Sequence, residues 1–110
     1  MQMINVRELR HRAKLSQEEL ARVIGTSWVT VSRWERKTSE PDHEKLARLR
    51  RLRELVKRIG KALQEDELVR FLTTPHPLLR GYKPSDLLES DYSFEHLLDF
   101  VDAAKSGDMA

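Results

Sequence analysis

Apolar residues recur every three or four positions along most of the chain, and no stretch alternates as a half-buried strand requires. The pattern predicts an all-α fold. Val6, Leu9 and Ala13 define the inner face of a first helix from about Val6 to Lys14, with Asn5 and Glu8 spaced as a capping box. Leu20, Ala21 and Ile24 line a second helix, capped by Ser16 with Glu19 three residues on. Gly25 supplies the positive φ that ends it. Ser27 caps a third helix in which Val31 and Trp34 point inward.

Arg36 to Glu40 form a polar loop. Pro41 then begins a long helix, because a proline suits a first turn. Leu46, Leu49, Leu52, Leu55, Val56, Ile59, Ala62 and Leu63 make an apolar stripe of about five turns, flanked by arginines and lysines. Gly60 is a point where this helix can bend or break. A shorter amphipathic piece runs from about Asp66 to Leu72. Three of the four prolines, with Gly81, then fall between Thr73 and Ser85. Leu78, Leu79 and Tyr82 are apolar anchors there and make the segment an ordered loop. Pro84 opens a short helix ending near Leu88. Ser93 caps a final helix with Phe94, Leu97, Leu98 and Val101 inward, and Gly107 ends it.

Charge divides the chain. Residues 1–61 hold 16 Lys/Arg against 8 Asp/Glu, and residues 62–110 hold 4 against 10, within a net charge of +2. A basic front half suits a phosphate backbone. An acidic back half suits a protein partner, unless both are merely solvated faces. The expected organisation is a DNA-binding unit over 1–61, including the long helix, and a small helical unit over 62–110.

Several chemistries are excluded or unsupported. With no cysteine there is no disulfide, thiolate metal site or cysteine nucleophile. No apolar run approaches the ~18 residues of a membrane span, and no signal peptide is evident, so the expected location is the cytoplasm. His11, His43, His76 and His96 are scattered, without the spacing of a helical metal site. A phosphate-binding glycine loop and a nucleophile elbow are also missing. Neither an enzyme nor a cofactor is expected.

Leu15–Glu35 reads as two short helices joined by a tight turn, the arrangement that sets one helix in the DNA major groove. Burying Val31 and Trp34 turns Trp28, Val29, Ser32, Arg33 and Arg36 outward, with Thr30 near the helix start. The stretch Leu15-Ser16-Gln17-Glu18-Glu19-Leu20-Ala21, the turn Gly25-Thr26-Ser27 and the run Val31-Ser32-Arg33-Trp34-Glu35 together resemble the Cro/C1-type, or Xre-like, helix-turn-helix family of lambda-repressor-like proteins. The resemblance covers about Val6 to Leu55. It implies that the N-terminal part of the third helix meets base edges. Arg33 is then the candidate for a bidentate guanine contact worth roughly 1–3 kcal/mol of discrimination. Val29 and Thr30 would touch a thymine methyl. Trp28 either lies along the sugar–phosphate wall or packs back toward the first helix. Gln17 and Ser27, at helix N-termini, are placed for phosphates, with Arg12, Lys14, Arg36 and Lys37 flanking them. Arg10 and Glu35 match positions that pair the first and third helices in that family.

From about Phe71 to Gly107 the chain resembles the toxin-binding domain of Xre/MbcA/ParS-type antitoxins. Phe71-Leu72, Thr74-Pro75-His76-Pro77, Leu79-Arg80-Gly81, Lys83-Pro84, Leu87-Leu88 and Gly107 carry that likeness. His76 stands where the pattern has Asn, Arg80 where it has glycine, and Lys83 where it has Thr. The resemblance implies a partner, usually a RES-domain enzyme that consumes NAD, met by Arg80, Gly81, Tyr82, Lys83 and Pro84. The alternative is that the prolines and Gly81 only shape a connection. The implied protein is a type II antitoxin that neutralises a RES-type toxin and represses its own operon at a double-stranded operator. The stripe Leu46–Leu63 and the small core favour a homodimer, although the same stripe would serve to cover the first three helices within one chain. Two other readings are a plain Xre-family repressor whose C-terminal part serves only dimerisation, and a protein-interaction module with a vestigial helix-turn-helix.

Overall fold

The computed structural model describes residues 4–60 and 67–106. Its α-helices are α1 Val6–Arg12, α2 Gln17–Ile24, α3 Trp28–Glu35, α4 His43–Ile59, α5 Glu67–Thr73 and α6 Asp91–Ser106. Two short 3₁₀ segments, Pro77–Leu79 and Pro84–Leu88, lie between α5 and α6. The described residues contain no strand, and the fold is all-α.

Local chemistry sets the helix ends. Asn5 accepts from the Glu8 N–H at 3.0 Å. Ser16 and Glu19 form the reciprocal capping box, with the Ser16 N–H donating to Glu19 at 2.8 Å and the Glu19 N–H to Ser16 at 3.0 Å. Gly25 closes α2 at φ 89°, a left-handed conformation that only glycine adopts without strain. Ser27 accepts from the Thr30 N–H at 3.2 Å and starts α3.

Three expectations shift. The long helix begins at His43, because the Asp42 carboxylate accepts the Lys45 N–H at 2.8 Å. An acceptor for an orphan donor fixes the start more firmly than the ring of Pro41, which precedes the cap. That helix ends at Ile59 with Gly60 as its cap, and Ala62 and Leu63 of the expected stripe lie outside the described residues. The last helix starts at Asp91 rather than after Ser93. Ser90 accepts the Ser93 N–H at 3.1 Å, while the Ser93 hydroxyl turns back to the Leu87 carbonyl at 3.0 Å. Gly107 lies outside the described residues. Of the three expected loop anchors only Leu79 is buried; Leu78 and Tyr82 are 65% and 55% exposed.

One hydrophobic cluster runs from Val6 on α1 to Val101 on α6. Leu20, Ile24, Leu49, Leu52, Leu55, Leu72, Leu88 and Leu97 are sealed within it, each contributing about 1.5–3 kcal/mol through burial. The C-terminal elements dock on the N-terminal ones: α5 and Pro84–Leu88 meet α2, and α6 meets Pro84–Leu88 and α4. Two arginines of α4 fasten this junction. Arg51 donates to the Leu88 carbonyl at 2.8 Å and to Asp91 at 3.1 Å, and Arg58 donates to Asp102 at 2.7 Å.

Candidate nucleic-acid interface

α3 presents two contrasting faces. Val31 and Trp34 are buried beneath it, against α1 and α2. The opposite side shows Trp28, Val29, Arg33 and, just past the helix end, Arg36 and Lys37. Trp28 is 53% exposed, which answers its alternative placements in favour of the surface. Thr30 and Ser32 are half-buried at the border. The Ser32 hydroxyl accepts from Arg36 Nε at 3.3 Å, and the Ser27 and Thr30 hydroxyls share a 3.0 Å hydrogen bond. Lys37, at φ 63°, turns the chain away so that α3 stops there.

A buried carboxylate holds this helix in place. The Glu35 side chain is 1% exposed, although it sits at the polar end of α3. Arg10 of α1 donates to it twice, Nε to Oε2 at 2.6 Å and Nη2 to Oε1 at 3.1 Å, the fork geometry that suits a guanidinium and a carboxylate. Arg10 also donates to the Leu15 carbonyl at 3.2 Å. Arg7 and Gln17 add further donors to Glu35 Oε1 at 3.3 and 3.2 Å. Burial pushes the Glu35 carboxyl up, but the hydrogen bonds from Arg10, Gln17 and Arg7, with the charge of Arg10, more than offset it. Its pKa lies below the ordinary carboxylate value of 4.5. The bond to Glu35 in turn raises the Arg10 pKa, against the opposing effect of burial.

In the sequence, only the family resemblance pairs Arg10 with Glu35. Arg7, one turn before Arg10 on the same face of α1, and Gln17 join them in the structure. The Arg7/Arg10 spacing was an available signal; the Gln17 contact, joining α2 to α3, had none. Gln17 still opens α2, but its amide is committed to Glu35.

The five residues assigned to a partner split in two. Arg80, Gly81, Tyr82 and Lys83 are exposed, whereas Pro84 is fully buried and presents no side-chain surface. Arg80 and Gly81 both have positive φ, 59° and 82°. His76, half-buried, accepts the Leu78 N–H at 3.2 Å through Nδ1 and meets the Phe100 ring edge-on at 4.7 Å. No group of His, Asp or Glu among the described residues is placed to hold a metal ion, and no helix there is long and apolar enough to cross a membrane.

A capped α2, a left-handed glycine turn and an outward-facing α3 locked to α1 define a helix-turn-helix protein of the DNA-binding class. Residues 6–65 match the family model HTH_3, described as Helix-turn-helix, and the chain belongs to that family. The whole fold is similar to a chain, the antitoxin MbcA, in the crystal structure of the M. tuberculosis MbcT-MbcA toxin-antitoxin complex. The likeness has a TM-score of 0.75 and 25% identity, over 96% of this chain and 95% of that one. No curated protein matches the chain.

Proposed function

We propose that this protein is a sequence-specific DNA-binding antitoxin that neutralises a RES-type toxin in the cytoplasm and represses its own operon as a homodimer. Residues 1–61 serve the operator and residues 62–110 serve the toxin. Arg33 reads a guanine, Val29 and Thr30 meet a thymine methyl, and Trp28 and Ser32 flank them. Ser27, Arg36 and Lys37 position the helix on phosphates, and Gln17 joins them through its backbone N–H at the start of α2. Arg80, Gly81, Tyr82 and Lys83 belong to the partner side. The protein carries out no catalysis.

The observation that supports the antitoxin reading is the reach of the structural likeness. It extends over nearly the whole of both chains, well beyond the helix-turn-helix that many repressors share. Co-expression with the product of the adjacent gene tests it. Relief of that product's toxicity by this chain supports the reading. A product that is harmless, or whose toxicity persists, removes it and leaves a plain Xre-family repressor whose C-terminal part serves only dimerisation.

A further inference from the structure

Among the described residues, the large apolar side chains left exposed outside α3 are Leu78, Tyr82 and Tyr92, and all three line one groove. It lies between the Pro77–Leu79 segment and α6 and has a volume of about 590 Å³. Leu79, Leu87 and Phe100 line its inner wall. Tyr92 is 78% exposed, the most open of the three, and its ring meets His96 edge-on at 4.8 Å. Tyr92, Glu95, His96 and Asp99 recur at helical spacing, so α6 shows one face that is both aromatic and acidic. Glu89, Glu95 and Asp99 are exposed, and no hydrogen bond or ion pair engages their carboxylates within the described residues. The other acids of this region differ: Asp91 and Asp102 are tied to Arg51 and Arg58, and Asp86 accepts the Lys83 N–H at 3.0 Å. Arg80 is the arginine among the groove's lining residues.

From this arrangement we infer that the groove is the docking surface for a protein partner with lysine or arginine side chains around an apolar contact. This rests on the antitoxin reading and extends its partner surface from Arg80–Lys83 to Leu78 and the outer face of α6. An exposed aromatic pair beside free carboxylates is suited to a cationic side chain, which gains attraction from the ring face and from the acid together. Leu78 and Tyr82 supply the apolar anchors that concentrate binding energy at such a centre. A second copy of this chain is the poorer occupant. A two-fold contact presents the same patch from both sides, which would set one acidic face of α6 against another. The principal neighbours of α3 are α1 and α2, and those of α6 are α4 and Pro84–Leu88. An occupied groove therefore leaves the outward face of α3 available to DNA.

The test uses the full chain with the purified product of the adjacent gene. Binding is measured by titration calorimetry for wild type, Tyr92→Ala, Leu78→Ser and the double charge reversal Glu89→Lys/Asp99→Lys, with circular dichroism and operator binding as controls of folding. We expect at least a ten-fold loss of affinity for each variant, unchanged operator binding, and a wild-type affinity that falls as salt rises. Wild-type binding with all three variants equally tight overturns the groove while leaving the antitoxin reading intact. No binding by wild type removes both. A shift from dimer to monomer in the Tyr92→Ala protein alone, by analytical ultracentrifugation, assigns the groove to a second copy and overturns the inference.

Discussion

Glu35 on α3 is gripped by Arg10 on α1 through a two-point hydrogen bond, 2.6 Å at the nearer contact, and hardly any of the Glu35 side chain reaches solvent. The grip fixes the angle at which α3 leaves the body, and with it the direction in which Arg33 points. A buried ion pair adds little against a well-packed apolar alternative, but losing one partner strands the other. Glu35→Ala should therefore destabilise the fold by about 3 kcal/mol, read from urea midpoints.

The same carboxylate gives a pH signature. Its pKa is depressed in the folded protein, so its contribution to stability is complete above the unfolded value near 4.5 and fades as pH falls through the lower folded value. The melting temperature should drop below about pH 4.5 in wild type. Glu35→Gln should flatten that part of the curve. An unchanged slope in the variant would assign the acid sensitivity to other groups.

Arg33 and Lys37 are both exposed cations at one end of α3, yet their proposed roles differ. Arg33→Ala should relax preference at one base pair by about 1–3 kcal/mol. Lys37→Ala should weaken all sequences alike and reduce the salt slope by about one contact. Affinities on a panel of single-base operator variants separate the two. Indistinguishable profiles would contradict the assignment.

The start of the chain was legible because its signals are short. Ser16 and Glu19, Gly25, and Ser27 with Thr30 each act within four residues, and each sits where the pattern places it. The C-terminal part was less legible. Ser90 and Ser93 are both credible caps three residues apart, and only the turn of the backbone decides between them. Leu78 and Tyr82 are apolar in a segment without periodicity, so sequence could not tell anchor from surface. The ties of Arg51 to Asp91 and Arg58 to Asp102 span 40 and 44 residues, and no local pattern announces them. At the candidate interface, the outward set on α3 followed from burying Val31 and Trp34, whereas the Gln17–Glu35 contact required the packing of α2 against α3.

A continuous core predicts that the two halves melt together. Leu72 on α5 is fully buried, and α5 packs on α2. Leu72→Ala should cost about 2–5 kcal/mol. It should lower a single transition seen equally by tryptophan fluorescence, which reports Trp28 and Trp34, and by circular dichroism. Two separated transitions would show that the halves unfold independently.

Arg80 occupies left-handed backbone, at φ 59°. That conformation costs an L-residue about 1–2 kcal/mol, and glycine's greater freedom when unfolded returns roughly 0.5–1 kcal/mol of it. Arg80→Gly should thus raise stability by about 0.5 kcal/mol, a small upward shift in melting temperature. A clear loss would mean that the Arg80 side chain makes stabilising contacts of its own.

The most direct test of the central claim is the affinity of the full chain for duplexes selected from genomic DNA, measured as salt is varied. If the exposed side of α3 enters the major groove, log affinity falls linearly with log salt, at a slope of about 0.9 per phosphate contact. Arg33→Ala then lowers preference for the selected sites over random DNA. A flat salt response, or selected and random duplexes bound alike by the wild-type protein, would contradict the account.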